Sequence, residues 1–140
     1  MPEVLCTICS IRASRVLRRT EAGIVTVPEG AVRPGHIMVV SVAHAASFAD
    51  MTPAESGAFM ALVASAARAA EQASGAERYY AVRIGDQTPH VHFHLVPRME
   101  GDPPLAPFVF GGDGWSAHIR SSAAPAGTDF ERDFISRMKA

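Results

Sequence analysis

The segment His-Val-His-Phe-His-Leu-Val, at residues 90–96, restricts the fold of this chain more than any other feature. Polar and apolar residues alternate in it, and an alternation of period two is typical of a β-strand with one face in the core. In such a strand His90, His92 and His94 share one face, while the apolar residues between them point into the core. Three of the six histidines in the chain are therefore expected side by side on one strand.

Short runs of β-branched residues, bounded by proline or glycine, predict further strands. Together with the histidine segment, the predicted strands cover residues 24–27, 37–42, 79–84 and 90–96, the last closed by Pro97. No repeat or second domain is evident in the 140 residues, which suffice for one substantial core. Antiparallel strands with helices segregated from them indicate the α+β class.

One long helix is predicted by the residues at its two ends. Thr52 is a good capping residue, Pro53 suits the first helical position, and Glu55 completes a capping box. The helix is expected to reach about Ser74 and to end at Gly75. The face expected to pack on the sheet consists of Phe59, Leu62, Val63 and Ala66. Two shorter helices are expected, one in the stretch before Thr20 and one at residues 128–139.

Charge and hydropathy argue against several classes of function. A net charge of −1 and a hydrophobic fraction of 48% are typical of an ordinary globular protein, and no nucleic-acid partner is expected. The arginines between Arg12 and Arg19 are interpreted as a solvated surface. Without an apolar run long enough for a bilayer or a signal-peptide pattern, we expect no membrane partner and a cytoplasmic location. In that reducing compartment, a disulfide between Cys6 and Cys9 is not expected.

The spacing of His90, His92 and His94 along the predicted strand fits separate roles for the three histidines better than shared binding of one metal ion. A rise of about 3.3 Å per residue separates His90 and His94 by about 13 Å, whereas the ligands of one ion lie about 2 Å from it. An adjacent pair could share a metal, but all three could not. Near neutral pH one imidazole can act as a nucleophile or acid, while a second binds phosphate oxygens. The alternative is that the row is only a polar, exposed strand face.

The stretch His-Val-His-Phe-His-Leu-Val-Pro-Arg, at residues 90–98, resembles the signature of the histidine triad family. Upstream, Pro34-Gly35-His36 resembles the family's Pro-Gly-His strand start, and His44 and the capped helix follow in the family's order. The resemblance covers roughly residues 6–98. It implies one domain over residues 1–140, with an antiparallel sheet, one long helix, a C-terminal helix and a C-terminal extension at 99–140. It also implies a homodimer.

For function, the resemblance implies a hydrolase or nucleotidyltransferase that cleaves nucleoside phosphate derivatives. Phosphoramidates, dinucleoside polyphosphates and adenylylated compounds are all compatible substrates. His92 corresponds to the family's nucleophile, which becomes a nucleotidyl-histidine. His94 corresponds to a residue of the phosphate site, and His36 to a further histidine near the nucleophile. The alternative is a non-catalytic member that binds nucleotides or partner proteins.

One branch of the family resembles this chain in carrying a zinc site. Its ligands are an N-terminal Cys-x-x-Cys pair, the histidine after the Pro-Gly-His strand, and the first histidine of the triad. The corresponding residues here are Cys6, Cys9, His44 and His90. Four protein ligands complete a tetrahedral zinc, so the implied role is structural. The alternatives are a redox pair, or two free thiols and an unrelated surface histidine.

Two positions depart from the family pattern in the region expected to bind substrate. Where the family has an asparagine or aspartate that helps to bind ribose, this chain has Pro28, which offers no side-chain acceptor. We expect Glu29 to bind the ribose instead; the alternative is that ribose is recognised differently in this chain. Gln87 lies three residues, not four, before the first triad histidine, so the loop is one residue shorter. Gln87 and Thr88 are expected to contact the phosphate or leaving group, or only to shape the turn.

Overall fold

A computed structural model of the chain describes residues 15–85, 88–105 and 128–139. Its sheet consists of β1 (Val16–Arg19), β2 (Gly23–Thr26), β3 (Ile37–Ser41), β4 (Arg78–Val82) and β5 (His92–Arg98). The strand order is β1-β2-β3-β5-β4, and every neighbouring pair is antiparallel. Helix α1 (Pro53–Ser74) joins β3 to β4, and α2 (Thr128–Lys139) follows later in the chain. The predicted α+β class with an antiparallel sheet is confirmed.

Helix α1 begins and ends where its sequence signals predict. The Thr52 side chain accepts from the Glu55 amide at 3.1 Å, and the Glu55 carboxylate accepts from the Thr52 amide at 3.1 Å. This capping box satisfies two amides that have no acceptor within the helix. At the other end Gly75 adopts the left-handed conformation, with φ of 71°, and caps the helix.

The core lies between one face of the sheet and the two helices. The predicted helix face is buried, and Phe134 of α2 is fully buried against the same core. Its main members are Val25, Ile37, Val39, Phe59, Leu62, Val63, Ala66, Val91, Leu95, Phe130 and Phe134. Burying one valine, leucine, isoleucine or phenylalanine side chain stabilises a fold by about 1.5–3 kcal/mol. No helix within the described ranges is long and apolar enough to cross a membrane.

The helix expected before Thr20 is wrong for residues 16–19, which form strand β1. β1 and β2 make a hairpin whose turn is held by the Thr20 hydroxyl, which accepts from the amides of Ala22 and Gly23 at 3.2 Å. Pairing with β2 across the sheet outweighs local helix propensity here. The part of the expected helix before Arg15 lies outside the described residues.

The prediction that β5 covers residues 90–96 is wrong at both ends. The strand begins at His92, because the Val91 amide donates to the Ala45 carbonyl at 2.8 Å instead of continuing the ladder. It also runs through Pro97, which lies opposite Tyr79 of β4. Proline is tolerated because β3 begins only at Ile37, so its other side is not paired with a strand residue.

The turn before β3 is fixed by strand β4. The Tyr79 hydroxyl donates to the Gly35 carbonyl at 2.9 Å, and burial raises the pKa of Tyr79 to about 12. Gly35 has a φ of 88°, and a Cβ there would lie 2.9 Å from the Tyr79 oxygen. Only glycine adopts this conformation readily while leaving room for the hydroxyl. The contact fixes the residue immediately before His36.

Gly23 permits the close approach of β2 and β3. A Cβ at this position would overlap the Val40 carbonyl oxygen, and backbone cannot yield as a flexible side chain can. We expect Gly23→Ala to lower the free energy of unfolding by about 1–3 kcal/mol, measured by urea denaturation. The control is Gly57→Ala on the exposed face of α1, where a Cβ meets nothing within 4 Å. It should raise stability by about 0.5–1 kcal/mol, and equal effects of the two variants would contradict the prediction.

Candidate active site

The pairing of β3 with β5 brings histidines from distant parts of the chain together. Met38 lies opposite His94, and Val40 lies opposite His92. His36, one residue before β3, therefore reaches the same region as the two triad histidines. The ring centroids of His36 and His94 are 5.0 Å apart, and those of His92 and His94 are 5.3 Å apart. The three residues predicted to be catalytic form one cluster.

The His92 ring is oriented by the backbone of the residue two positions before it. Its Nδ1 lies 2.6 Å from the His90 carbonyl oxygen, and the ring is buried. Because a carbonyl oxygen can only accept, Nδ1 must carry the proton and donate. In the neutral ring the lone pair is then on Nε2. In this tautomer, Nε2 of His92 is the nitrogen that can act as a nucleophile.

A second hydrogen-bond chain defines the tautomers of His36 and His94. The Val32 amide donates to His36 Nδ1 at 3.0 Å, so that nitrogen carries no proton. His36 Nε2 therefore carries the proton of the neutral ring and donates to His94 Nδ1 at 2.9 Å. By the same reasoning, neutral His94 carries its proton on Nε2. His94 presents a hydrogen-bond donor beside His92.

Burial favours the uncharged forms of His36 and His94. Burial, with a smaller contribution from neighbouring His94, lowers the pKa of His36 to about 4. The pKa of His94 is also lowered, first by burial and then by His92. An imidazolium in this environment would lose its hydration without gaining an anionic partner. The Val32 amide, which can only donate, opposes protonation of His36 as well.

His44 and His90 form a second pair, separate from the cluster of His36, His92 and His94. Their ring centroids are 4.7 Å apart and the rings are nearly perpendicular, at 79°. His90 Nε2 donates to the Ser41 carbonyl at 2.6 Å, which leaves the lone pair of the neutral ring on Nδ1. Within residues 15–85, 88–105 and 128–139, no three His, Cys, Asp or Glu side chains are arranged so that they could hold a metal ion. Cys6 and Cys9 lie outside these residues.

The comparison with protein families agrees with this arrangement of histidines. The family model described as HIT domain, for histidine triad, matches residues 12–101. The chain belongs to the histidine triad family. No curated protein matches the sequence closely enough to count as a relative.

Solved structures of histidine triad proteins share the fold at low sequence identity. A hypothetical histidine triad nucleotide-binding protein from Sulfolobus tokodaii aligns with a TM-score of 0.68 at 16% identity, covering 96% of this chain and 92% of that one. A zinc-bound histidine triad family protein from Mycobacterium smegmatis aligns with a TM-score of 0.67 at 16% identity, covering 95% and 89%. A Hit-like protein from Bartonella henselae gives 0.64 at 17% identity, covering 95% and 90%. These likenesses confirm the histidine triad fold.

Among the described residues, the structure does not bring those predicted to bind substrate into one cluster, as it does the three histidines. Thr88 is half-buried, and its carbonyl accepts from the His90 amide at 2.9 Å, so it lies close to the start of β5. Glu29 is exposed in the loop between β2 and β3. Pro28 is buried, and its carbonyl accepts from Arg15 at 3.0 Å. Gln87 lies outside the described residues.

Sequence reasoning missed the backbone groups that contact the histidine rings, and a buried ion pair between distant residues. The His90 carbonyl and the Val32 amide set two of the tautomers, and no side-chain pattern indicates either role. Arg33 forms a buried ion pair with Asp102, 69 positions later in the sequence. The only signal for Arg33 was its place in a turn with proline and glycine. An ion pair over this separation leaves no local pattern.

Proposed function

We propose that this chain is a nucleotidyl hydrolase or transferase that cleaves nucleoside phosphate derivatives through a nucleotidyl-histidine intermediate. The observation that carries the proposal is the hydrogen bond from His92 Nδ1 to the His90 carbonyl, which leaves a lone pair on Nε2. Membership of the histidine triad family supports the same conclusion. The Sulfolobus tokodaii neighbour, which shares the fold, is described as a nucleotide-binding protein.

The reaction proceeds in two displacements at the α-phosphorus. His92 Nε2 attacks the phosphorus and forms a P–N bond, while the bond to the leaving group breaks and its electron pair departs with the leaving group. The leaving group takes up a proton from the solvent on release, and the water or acceptor that attacks in the second step loses one to the solvent. Water or another acceptor then attacks the same phosphorus, the P–N bond breaks, and the electron pair returns to Nε2. The acceptor decides whether the outcome is hydrolysis or transfer.

His94 and His36 support the first displacement in different ways. Nε2–H of His94 donates to a non-bridging phosphate oxygen, where negative charge increases as the nucleophile approaches. His36 keeps that proton on Nε2 of His94, because its own Nε2–H donates to His94 Nδ1. His94 can therefore donate this hydrogen bond as a neutral ring, without a change in its protonation state. His36 is thus a positioning residue, whereas His92 and His94 contact the substrate.

The substrate class includes phosphoramidates, dinucleoside polyphosphates and adenylylated compounds. Glu29 binds the ribose hydroxyls in this proposal, because the neighbouring Pro28 has no side-chain acceptor and Glu29 is exposed to the solvent. Thr88 and Gln87 contact the phosphate or the leaving group, since both belong to the loop that leads into β5.

A second candidate function is a histidine triad module that binds nucleotides or proteins without turnover. Two features favour it. Pro28 offers no side-chain acceptor where the family has a ribose-binding residue, and the loop before His90 is one residue shorter than the family pattern. Product release from a candidate substrate separates the two functions, since a binding module yields none.

We also propose a structural zinc bound by Cys6, Cys9, His44 and His90. The two histidines are adjacent, and His90 can offer Nδ1 while its Nε2–H stays on the Ser41 carbonyl. This outer hydrogen bond orients a ligating imidazole as in other zinc sites. Two thiolates with two imidazoles suit zinc, and the Mycobacterium smegmatis neighbour is described as zinc-bound. When bound, the metal would hold the N-terminal segment against the start of β5.

The assembly we propose is a homodimer that works in the cytoplasm. Strands β1 and β4 form the two edges of the sheet, so each has one side without a neighbouring strand in the described part of the protomer. An edge strand can extend a sheet by pairing with a second copy. The cytoplasmic location suits the proposed thiolate ligands, which need a reducing compartment.

His92→Ala is expected to abolish turnover, lowering kcat by several orders of magnitude because it removes the nitrogen that forms the P–N bond. His94→Ala should retain a slower, measurable reaction, with kcat reduced by about 10²–10³-fold through loss of one donor. Release of nucleoside monophosphate measures both effects. Mass spectrometry of rapidly quenched wild-type enzyme should find the nucleotidyl group on His92. Wild-type turnover by His92→Ala would rule the mechanism out.

One zinc per chain is expected in the purified protein, and Cys6→Ser or Cys9→Ser should reduce both zinc content and Tm. Because all four positions of the ion are occupied by protein, loss of a ligand should affect stability more than the chemical step. Elemental analysis and thermal unfolding measure the two quantities. His94→Ala serves as the control and should keep its zinc. Full zinc content in both cysteine variants would contradict the site.

Glu29→Gln is expected to weaken nucleoside monophosphate binding, because a neutral amide is a poorer acceptor for ribose hydroxyls than a carboxylate. Calorimetric titration measures the Kd, and a loss of about tenfold corresponds to one charge-assisted hydrogen bond. The control is Glu21→Gln, which neutralises another exposed carboxylate on the β1–β2 turn and should leave the Kd unchanged. If Glu29→Gln and Glu21→Gln have the same Kd, Glu29 does not contribute to nucleotide binding.

A further inference from the structure

A buried ion pair joins the turn before β3 to the chain just beyond β5. Arg33 Nη1 lies 2.5 Å from Asp102 Oδ2, and Nη2 lies 3.5 Å from Oδ1. The side chains retain only 2% and 5% of their accessible surface. A guanidinium that meets a carboxylate through both of its terminal nitrogens is held in direction as well as in distance.

The Asp102 carboxylate is itself fixed to the end of β5. Its Oδ2 accepts from the Met99 amide at 2.8 Å, and its backbone carbonyl accepts from Arg98 Nη1 at 2.7 Å. Arg33 Nη1 also donates to the Pro97 carbonyl at 3.0 Å. The guanidinium is therefore anchored to the last residues of the strand that carries His92 and His94.

The backbone around Arg33 surrounds His36. The Arg33 carbonyl accepts from the His36 amide at 3.1 Å, and the Val32 amide donates to His36 Nδ1 at 3.0 Å. This second bond decides which nitrogen of His36 carries the proton. A shift of the turn by only about 0.6 Å would lengthen it beyond the range of a hydrogen bond.

We propose that Arg33 and Asp102 are positioning residues that set the tautomers of His36 and His94. Their ion pair holds the Val32 amide on His36 Nδ1, so that the His36 proton stays on Nε2 and donates to His94. The inference deepens the proposed function, on which its kinetic consequence rests, since His94 then presents Nε2–H to the phosphate.

Stability alone gives a poor account of this buried pair. Desolvation of two charges offsets much of their attraction, and apolar replacements of similar size are often neutral or stabilising. An apolar pair would fill the space but would not fix the direction of the turn, because dispersion contacts are not directional. Orientation of the Val32 amide is a property that the ion pair supplies and apolar packing does not.

The test compares Asp102→Asn with Glu77→Gln. Both convert a carboxylate to an amide near the end of β5, but Glu77 pairs with Arg98 at 3.3 Å and is half-exposed. Long-range ¹H–¹⁵N spectra of the ¹⁵N-labelled, full-length protein report which nitrogen of each histidine carries the proton. His36→Gln and His94→Gln assign the two signals.

Wild type and Glu77→Gln should show the proton on Nε2 in both His36 and His94. Asp102→Asn should show a mixture of tautomers at both rings, with kcat lowered by about tenfold or more. A uniform Nε2–H signal in Asp102→Asn, or an equal disturbance in Glu77→Gln, would overturn the proposal. So would a wild-type His36 that carries its proton on Nδ1.

Because loss of one partner leaves a buried charge, Asp102→Asn can fail to fold. The double variant Arg33→Met with Asp102→Leu then makes the same comparison without the charge of either side chain. Wild-type tautomers in a folded double variant would overturn the inference. If the tautomers respond as expected but no substrate is turned over, the proposed function fails and the positioning role stands. If a nucleotidyl-His92 adduct forms but the tautomers do not change, the proposed function stands and the positioning role fails.

Discussion

Strand β5 lies between β3 and β4, and its antiparallel pairing with β3 is the contact on which the site depends. The register places Val40 opposite His92 and Met38 opposite His94. A slip of one residue would turn both histidines toward the helices and bring Phe93 out of the core. The same register brings His36, at the start of β3, within hydrogen-bond distance of His94. The sheet therefore determines both the fold and the proximity of the catalytic candidates.

Each buried imidazole in this region meets a backbone group of fixed polarity. The carbonyls of His90 and Ser41 accept from His92 and His90, and the Val32 amide donates to His36. A carbonyl requires a protonated ring nitrogen, and an amide requires an unprotonated one. Backbone groups thereby choose the tautomers while burial lowers the pKa values of His36 and His90. In these tautomers His92 has a lone pair on Nε2 and His94 has a proton on Nε2.

Much of the fold could be predicted from local pattern. The ends of α1 follow from Thr52, Glu55 and Gly75, because a capping interaction involves residues only a few positions apart. Helix α2 has the predicted bounds, and strands β2, β3 and β4 lie within one or two residues of their predictions. β1 was missed because its conformation depends on pairing with β2 more than on its own residues. The start of β5 depends on a hydrogen bond to Ala45, which lies far away in the sequence.

In the candidate site too, local pattern predicted some features, while others depended on residues far apart in the chain. Alternation alone indicated that His92 and His94 share a strand face, and the ordered motifs pointed to His36 as a companion. The sequence also placed His44 and His90 in one expected zinc site, and the two rings are adjacent. Their association could be anticipated only through the family resemblance, because residues so far apart in the chain have no local signature.

By itself, the sequence determined which residue types are available and the periodicity that sorts them between core and site. Period-two alternation and helix caps act over a few residues, so they can be read without knowing the fold. The tertiary structure alone decided which nitrogen of each histidine carries a proton, and which charge is paired with Arg33. Both depend on a backbone group or carboxylate brought near by the sheet, within about 3 Å, from a distant part of the chain. Hydrogen bonds act at that short range, so their partners exist only once the chain has folded.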